Sequence, residues 1–323
     1  MNALLLYHYQ TSCYRYGIMD FDYESLTVLS AVVRTGSFET AAKSLNVTQS
    51  AVSQRIKNLE EKVGSLLIIR GRPCTPTEEG LLLCQHGEQV TLLRHELSER
   101  LSGPVGESSA IVRIAVNNDS LATWFPKVVE RAADELNLLL DIIPDDQEFT
   151  NGLLRSGDVS AVISSSDIPI PGCDFYHLGD MEYLAVASAR YTERFLADGA
   201  TLANVASAPS IRFDRKDTLP HQWLDVAFGK SAVLSSHFIP SYEGHLRCCR
   251  LGIGWAMMPR EAVAGLIESG ELAEVVPNAR VRVPLFWHTR SQSSRILQTL
   301  SEIVLEVAEM KSEDRKVPSI TAK

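Results

Sequence analysis

Residues 37–64 read SFETAAKSLNVTQSAVSQRIKNLEEKVG: a helix, a tight turn, and a second helix that stops at a glycine. The Ser37 hydroxyl is placed to cap the first helix, 38–45, by accepting from its backbone N–H groups. Ala41 and Ala42 are small enough for a close helix crossing. Asn46 and Val47 make the turn, and Thr48 caps the second helix. In that helix Val52, Ile56, Leu59 and Val63 share one face by helical spacing. The other face is small, polar and mostly uncharged, with Gln49 near its start and then Ser50, Ser53, Gln54 and Lys57. A helical stripe of Leu26, Leu29, Val32 and Val33 precedes the pair and ends at Gly36. The three helices make a bundle whose third member can pack on its own domain and still lie in the major groove of DNA.

A helix-turn-helix sets the N-terminal part of its second helix against base edges. Serine and glutamine suit that position because they donate and accept hydrogen bonds without bulk. Gln49, Ser50, Ser53 and Gln54 are therefore the base-reading candidates. Arg55, Lys57, Arg70 and Arg72 fit phosphate or minor-groove contact, which supplies salt-dependent affinity. From Arg34 to Arg72 seven cations (Arg34, Lys43, Arg55, Lys57, Lys62, Arg70, Arg72) face three anions (Glu39, Glu60, Glu61). The local balance is +4 in a chain of formal charge −9. Net charge averages over domains, so the acidic total does not oppose a basic head. An ordinary three-helix bundle with a polar surface shares the pattern. A wing and a dimerisation helix beyond it favour the DNA reading.

Gly64 stops the third helix, 66–69 reads as a short strand, and Arg70-Gly71-Arg72-Pro73 reads as a hairpin or wing. Pro76-Thr77-Glu78-Glu79 opens a long helix, 77–101, with Thr77 as cap and two glutamates where the helix dipole favours them. Leu83, Val90 and Leu97 recur every seven residues, with Leu93 and Leu101 adjoining, so this helix wants a partner helix. Residues 102–109, SGPVGESS, are the clearest hinge. The texture then becomes α/β: strand 111–116, helix 121–136, strand 138–143, short helix 150–156, strand 159–164. That rhythm implies a parallel sheet. Strands at 183–187, 210–213, 231–235, 255–258 and 281–288, with helices between, precede a final helix, 293–310.

The organisation expected is thus an N-terminal extension, 1–19, disordered or misassigned, with Met19 as the start. A winged head, 20–76, the linker helix, 77–101, and the hinge come after it. A ligand-binding domain, 110–312, comes next, and a tail, 313–323, ends the chain. Two lobes are expected in that domain, the first about 110–180 with 276–312 and the second about 181–275.

Ligands of open α/β lobes bind beyond the carboxyl ends of strands, in the crevice between lobes. Asn117, Asn118, Asp119 and Ser120 close the first strand and open a helix. Backbone N–H groups there, with Ser120 and Thr123, can hold a carboxylate, and Asp119 can pair with an ammonium. Ser164 ends another strand, Asp214 follows strand 210–213, and Glu243 opens a helix in the second lobe. Each acid alone reads as a cap or a solvated loop residue. Together they suit an effector with an extra positive charge. Trp124 reads as core and His288 as a packed histidine at a strand end.

No P-loop, GxSxG, HExxH or comparable catalytic set is visible, so no enzyme, metal or cofactor is expected. The six cysteines lack zinc spacing and read as reduced thiols. No run approaches the roughly 20 apolar residues of a membrane span, and a cytoplasmic location is expected.

Two motifs, A-A-x-x-L-x-V-T-Q-S-A-V-S-Q-R-I-x-x-L-E at 41–60 and P-T-E-E-G at 76–80, carry a family resemblance. Residues 20–101 resemble the winged DNA-binding domain and linker helix of the LysR-type transcriptional regulators, and the likeness runs on through the sensor. The ArgP/LysG branch is the nearest, on Asn118-Asp119-Ser120-Leu121-Ala122-Thr123-Trp124, Leu285-Phe286-Trp287-His288 and Ser294-Arg295. The fold implied is α/β with an all-α winged helix-turn-helix head, a long linker helix, and two Rossmann-like lobes of the periplasmic-binding-protein type. The function implied is a homodimeric or homotetrameric, nucleoid-associated regulator. It would bind operator DNA, sense L-lysine or L-arginine, work with RNA polymerase and activate a basic amino acid exporter gene. An effector-independent architectural or replication-control DNA binder is the alternative. The wing sequence Arg70-Gly71-Arg72-Pro73-Cys74 and the N-terminal extension depart from the family pattern.

Overall fold

The computed structural model describes residues 21–102, 110–144, 153–154, 158–290 and 294–313. The extension 1–19, nearly all of the hinge, most of helix 150–156 and nearly all of the tail lie outside the described residues. The chain forms two compact units. Among the described residues no helix is long and apolar enough to cross a membrane.

The N-terminal unit contains α1 (Tyr23–Thr35), α2 (Phe38–Ser44), α3 (Gln49–Val63), β1 (Ile68–Ile69), β2 (Thr75–Pro76) and α4 (Glu78–Ser102). Its helices start where local chemistry allows. Ser37 Oγ accepts from Thr40 N at 3.3 Å, and Thr48 Oγ1 from Ala51 N at 3.2 Å. Gly36 ends α1 at φ 63°, a left-handed conformation that glycine adopts without a Cβ penalty. Leu26, Leu29 and Val32 of α1 meet Ala41 and Ala42 of α2 and Val52, Ile56 and Leu59 of α3 in one core. The wing strands pair antiparallel, Ile68 opposite Pro76. Thr77 joins wing to helix, its Oγ1 donating to Leu66 O at 2.8 Å and accepting from Gly80 N at 3.1 Å.

Leu83 departs from expectation. It lies in the head core with Cys84 rather than on an outward seam. The first turns of α4 pack on α1 so closely that a Cβ on Gly87 would stand 3.1 Å from Leu26 Cβ. The leucines left exposed on α4 are Leu82, Leu93, Leu97 and Leu101.

The C-terminal unit is built on a nine-stranded sheet among the described residues. In chain order it comprises β3 (Ala110–Val116), α5 (Asn118–Ala122), α6 (Phe125–Leu136), β4 (Leu138–Pro144), β5 (Ala161–Ser164) and β6 (Cys173–Ser188). Next come α7 (Ala189–Phe195), α8 (Leu202–Ser207), β7 (Ser210–Arg212), α9 (Leu219–Phe228), β8 (Ser236–Phe238) and α10 (Tyr242–Arg250). The chain then forms β9 (Trp255–Pro259), α11 (Arg260–Glu268), β10 (Leu272–Glu274), β11 (Arg280–Arg290) and α12 (Arg295–Glu313). The strand order is β4-β3-β5-β11-β6-β9-β7-β8, with β10 also on β6.

In the first lobe β4, β3 and β5 run parallel. In the second, β9, β7 and β8 run parallel and β6 opposes β9. The long strands β6 and β11 belong to both lobes. They pair antiparallel from Arg280 opposite Leu184 to Arg290 opposite Cys173, with an irregularity between Leu285 and Phe286. The crossings expected near 180 and 275 are therefore made through a hydrogen-bonded ribbon, and the sheet is mixed rather than all parallel.

Other elements also differ from their reading. Strand 183–187 is the second half of sixteen-residue β6. Residues 231–235 form no strand; β8 comes just after them. Short β10 carries no pattern that marks it in the sequence. Helix 121–136 breaks at Thr123 (φ −113°, ψ −84°) into α5 and α6, and Pro126 sits in the first turn of α6, where its missing N–H is tolerated. Trp124, at the break, is buried edge-on against Phe125, with ring centroids 5.6 Å apart.

Candidate functional site

Two groups of side chains stand out, one in each unit. On α3 the residues Gln49, Ser50 and Gln54 are exposed, Ser53 is half-buried and Lys57 is exposed. Helical geometry puts all five within an arc of about 140°, opposite buried Val52, Ile56 and Leu59. Their local bonds are few and breakable. Ser50 Oγ lies 3.0 Å from Thr48 Oγ1, Gln54 Nε2 donates to Asn58 Oδ1 at 2.7 Å, and Lys57 is 3.6 Å from Glu61. Arg55 is held 2.9 Å from Glu24 of α1. Exposed pairs of this kind contribute at most about 1 kcal/mol and give way readily to a phosphate. On the wing Arg72 is exposed, and the Arg70 guanidinium lies 5.4 Å over the Phe38 ring of α2. Glu60, read only as an anion, does more. Its Oε1 accepts from Leu67 N at 2.9 Å and from Ile68 N at 3.4 Å, fastening the wing strand to α3.

The second group lines a cleft of about 480 Å³ in the C-terminal unit, at the end of β3 and facing the second lobe. Asn117, Asn118 and Asp119 come from the first lobe, with Ser165 after β5. Phe213, Asp214, Lys216, Asp217, Gln222, Tyr242 and His245 come from the second, and Tyr183 and Arg282 from the ribbon. Asp119 is central. Its Oδ2 accepts from the Tyr183 hydroxyl at 2.6 Å, a bond between lobes. Burial first, and then the Asp119 charge, hold the Tyr183 phenol well above the ordinary tyrosine pKa, so it stays a donor. Burial, with Asp119 nearby, also pushes Tyr242 up to about 12.

Asp214 and Asp217 shape the loop between β7 and α9. Asp214 Oδ1 accepts from Lys216 N at 2.7 Å and Asp217 N at 2.9 Å. Asp217 accepts from Leu219 N at 3.0 Å and Phe213 N at 3.2 Å. Arg282 is drawn to buried Glu182 at 3.1 Å, which Arg260 and Arg280 also approach, at 3.4 and 3.5 Å. Three carboxylates and two cations thus face the cleft, and Arg282 is engaged by Glu182.

Of the residues expected to hold a ligand, Asn118, Asp119 and Asp214 meet at the cleft. The other four lie off its wall. Ser120 is fully buried beneath it. Thr123 Oγ1 donates to Asp119 O at 2.6 Å, and Ser164 Oγ accepts from Ser166 N at 3.0 Å, so both hydroxyls serve their own backbone. Glu243 is exposed and pairs with Arg247 at 3.3 Å one turn along α10. Buried His288 donates from Nε2 to Ser166 O at 3.2 Å and so fixes the loop carrying Ser165. Burial lowers its pKa and favours the neutral ring. Tyr183, Tyr242, His245, Asp217 and Arg282 were not anticipated at the cleft, and Asn117, read as closing the strand there, was given no ligand role. For Asn117 the signal was present, since it ends the same strand.

Comparison with known proteins matches the chain over both units. Residues 23–81 match the bacterial regulatory helix-turn-helix proteins of the lysR family, and residues 106–309 match the LysR substrate binding domain. The HTH-type transcriptional regulator LysG of Mycobacterium tuberculosis is 38% identical over 287 residues, 89% of this chain and 93% of its own. The crystal structure of ArgP from Mycobacterium tuberculosis aligns at a TM-score of 0.76 with 37% identity, covering 90% of this chain and 98% of that one. Full-length LysG from Corynebacterium glutamicum, with bound effector Arg, aligns at a TM-score of 0.69 with 32% identity, covering 90% and 99%. With a helix-turn-helix and wing in one unit, a two-lobed cleft in the other, and relatives matched across both, the chain belongs to the LysR family of transcriptional regulators.

Proposed function

We propose that this regulator takes L-lysine or L-arginine in its cleft and, so loaded, activates the gene of a basic amino acid exporter in the cytoplasm, working with RNA polymerase. The observation that carries the reading is Asp119, a carboxylate at the end of β3 in a cleft where acids outnumber cations. The likeness to a LysG solved with arginine bound supports it. A ligand shifts transcription only by binding one arrangement of the assembly more tightly than another. The Asp119–Tyr183 bond between lobes supports the cleft as the place where that difference arises. Isothermal titration of the full chain with L-lysine and L-arginine tests the reading. No heat at millimolar concentration of either overturns it.

On the DNA side, Gln49, Ser50, Ser53 and Gln54 read base edges, while Arg55, Lys57, Arg70 and Arg72 meet phosphates or the minor groove. Ser53→Ala and Gln54→Ala are each expected to lose about 1–3 kcal/mol of preference for operator over random DNA. Arg72→Ala is expected to weaken both DNAs alike and to flatten the salt dependence by about one unit of slope. Fluorescence anisotropy at several salt concentrations checks both. Undiminished operator preference in the two α3 variants refutes the assignment.

Val90, Leu93, Leu97 and Leu101 form a stripe on α4, and the three leucines are exposed. This stripe pairs two copies of the chain, so that two heads read two half-sites. Leu97→Glu is expected to lower the oligomeric state in light scattering and to weaken operator binding in parallel. A monomeric wild-type protein with tight operator binding removes the idea.

A further inference from the structure

Asn117 closes β3 and holds the N-cap position of α5, where an asparagine side chain ordinarily accepts from the first N–H groups of its own helix. Here it makes no capping bond. The residue is 4% exposed and lines the cleft. Among the described residues neither Oδ1 nor Nδ2 has a hydrogen-bond partner. Buried amides are nearly always bonded, so one that lines a binding cleft with both ends unmet is completed by what enters the cleft. The chemistry of that visitor follows from the amide. It offers an acceptor oxygen and a donor NH2 side by side. Its complement is a strong donor next to a strong acceptor. A free α-amino acid carries that pair, ammonium and carboxylate, on a single carbon.

We propose that Asn117 reads the zwitterionic head of the effector, Oδ1 accepting from the α-ammonium and Nδ2 donating to the α-carboxylate. The inference rests on the cleft being the effector site and adds what that reading leaves open: which part of the ligand is obligatory. Of the hydroxyls expected to hold a carboxylate, those of Thr123 and Ser164 serve their own backbone, and that of Ser120, though likewise unbonded, is fully buried off the cleft wall. Asn117 takes over that part of the task. Asp119, two residues along, is left for positive charge. The site then rejects a diamine of the same length that lacks the carboxylate.

The test is isothermal titration of the full chain with L-lysine, cadaverine and L-leucine, using the wild type, Asn117→Leu and Asn117→Asp. Melting temperature serves as the folding control. The wild type is expected to favour lysine over cadaverine by at least about tenfold. Asn117→Leu keeps the branched outline at a larger volume and removes both polar atoms, and it brings the lysine-to-cadaverine ratio close to one. Asn117→Asp keeps an acceptor and adds a charge that repels carboxylate, so it turns the preference towards cadaverine. The aspartate is nearly isosteric and gives the answer should the leucine variant not fold. An unchanged ratio in the folded variants, or an equal loss for both ligands, overturns the proposal. Wild-type binding of leucine as tight as lysine removes the basic side-chain reading and leaves the Asn117 inference standing. Binding of none of the three removes both.

Discussion

Replacing Gly80 with alanine is expected to destabilise the N-terminal unit by about 3 kcal/mol. Helix propensity alone points the other way, since alanine is favoured over glycine by about 1 kcal/mol within a helix. What reverses the sign is packing. Gly80 is buried in the first turn of α4, and a Cβ there would stand 2.1 Å from Leu67 O. Relief by a side-chain rotation is not available, because the obstacle is backbone. That same Leu67 carbonyl accepts from Thr77 N at 3.0 Å, so moving it also breaks the joint between wing and helix. Gly265 in α11 is the control. Nothing lies within 4 Å of the position a Cβ would take there, and alanine is expected to add up to about 1 kcal/mol. Urea unfolding followed by circular dichroism reads both. A Gly80→Ala protein as stable as the wild type would show that α4 does not approach the wing as described.

Asp119→Ala is expected to abolish the response to L-lysine and L-arginine. The substitution removes the charge that draws the ligand's cation, and it also strands the Tyr183 hydroxyl, which belongs to a residue 2% exposed and donates to Asp119. A buried donor without an acceptor is costly in its own right. Asp119→Asn separates the two effects, since the amide oxygen still accepts from Tyr183 while the charge is gone. The asparagine variant is expected to lose about 1.5–3 kcal/mol of binding, roughly 10–100-fold in affinity. The alanine variant is expected to lose more. Titration calorimetry gives the affinities, and operator binding without ligand, measured alongside, distinguishes a failed cleft from a failed head. Unchanged affinity in the asparagine variant would shift the charge recognition to Asp214 or Asp217.

The head was legible almost residue by residue because its signals are local. Ser37, Thr48 and Thr77 cap the helices that begin beside them, and the apolar positions of α3 fall on one side by period alone. Leu83 was misplaced for a reason outside local pattern: heptad spacing says which residues share a stripe, not where α1 stops covering it. The sheet was read in pieces. The first half of β6, CDFYHLGD, is polar and holds a glycine, so it lacks the apolar run that marked its second half. Strand β8 carries Ser236 and His237 at a sheet edge, where the burial that shapes a strand's composition is weak. At the cleft, the acids at strand ends were visible, but which way each turned was not. Glu243 faces solvent as the first-turn acid of an amphipathic helix. Tyr183 enters the site from a strand some sixty residues away in sequence, a placement that only the register of β6 against β9 and β11 determines.

The ribbon of β6 and β11 also sets an order of events on the ribosome. Strands β6 to β10 of the second lobe are contiguous in the chain and have each other as neighbours once residue 274 has emerged. The first lobe is older in synthesis yet must wait. Its β5 has β11 as inner neighbour, and β11 ends only at Arg290. The second lobe thus closes before the first, and a nascent protein stalled short of β11 carries two bare edges, on β5 and on β6. Unpaired edges template association with other chains. The interval between the emergence of Glu274 and that of Arg290 is therefore the one in which this regulator most needs a chaperone.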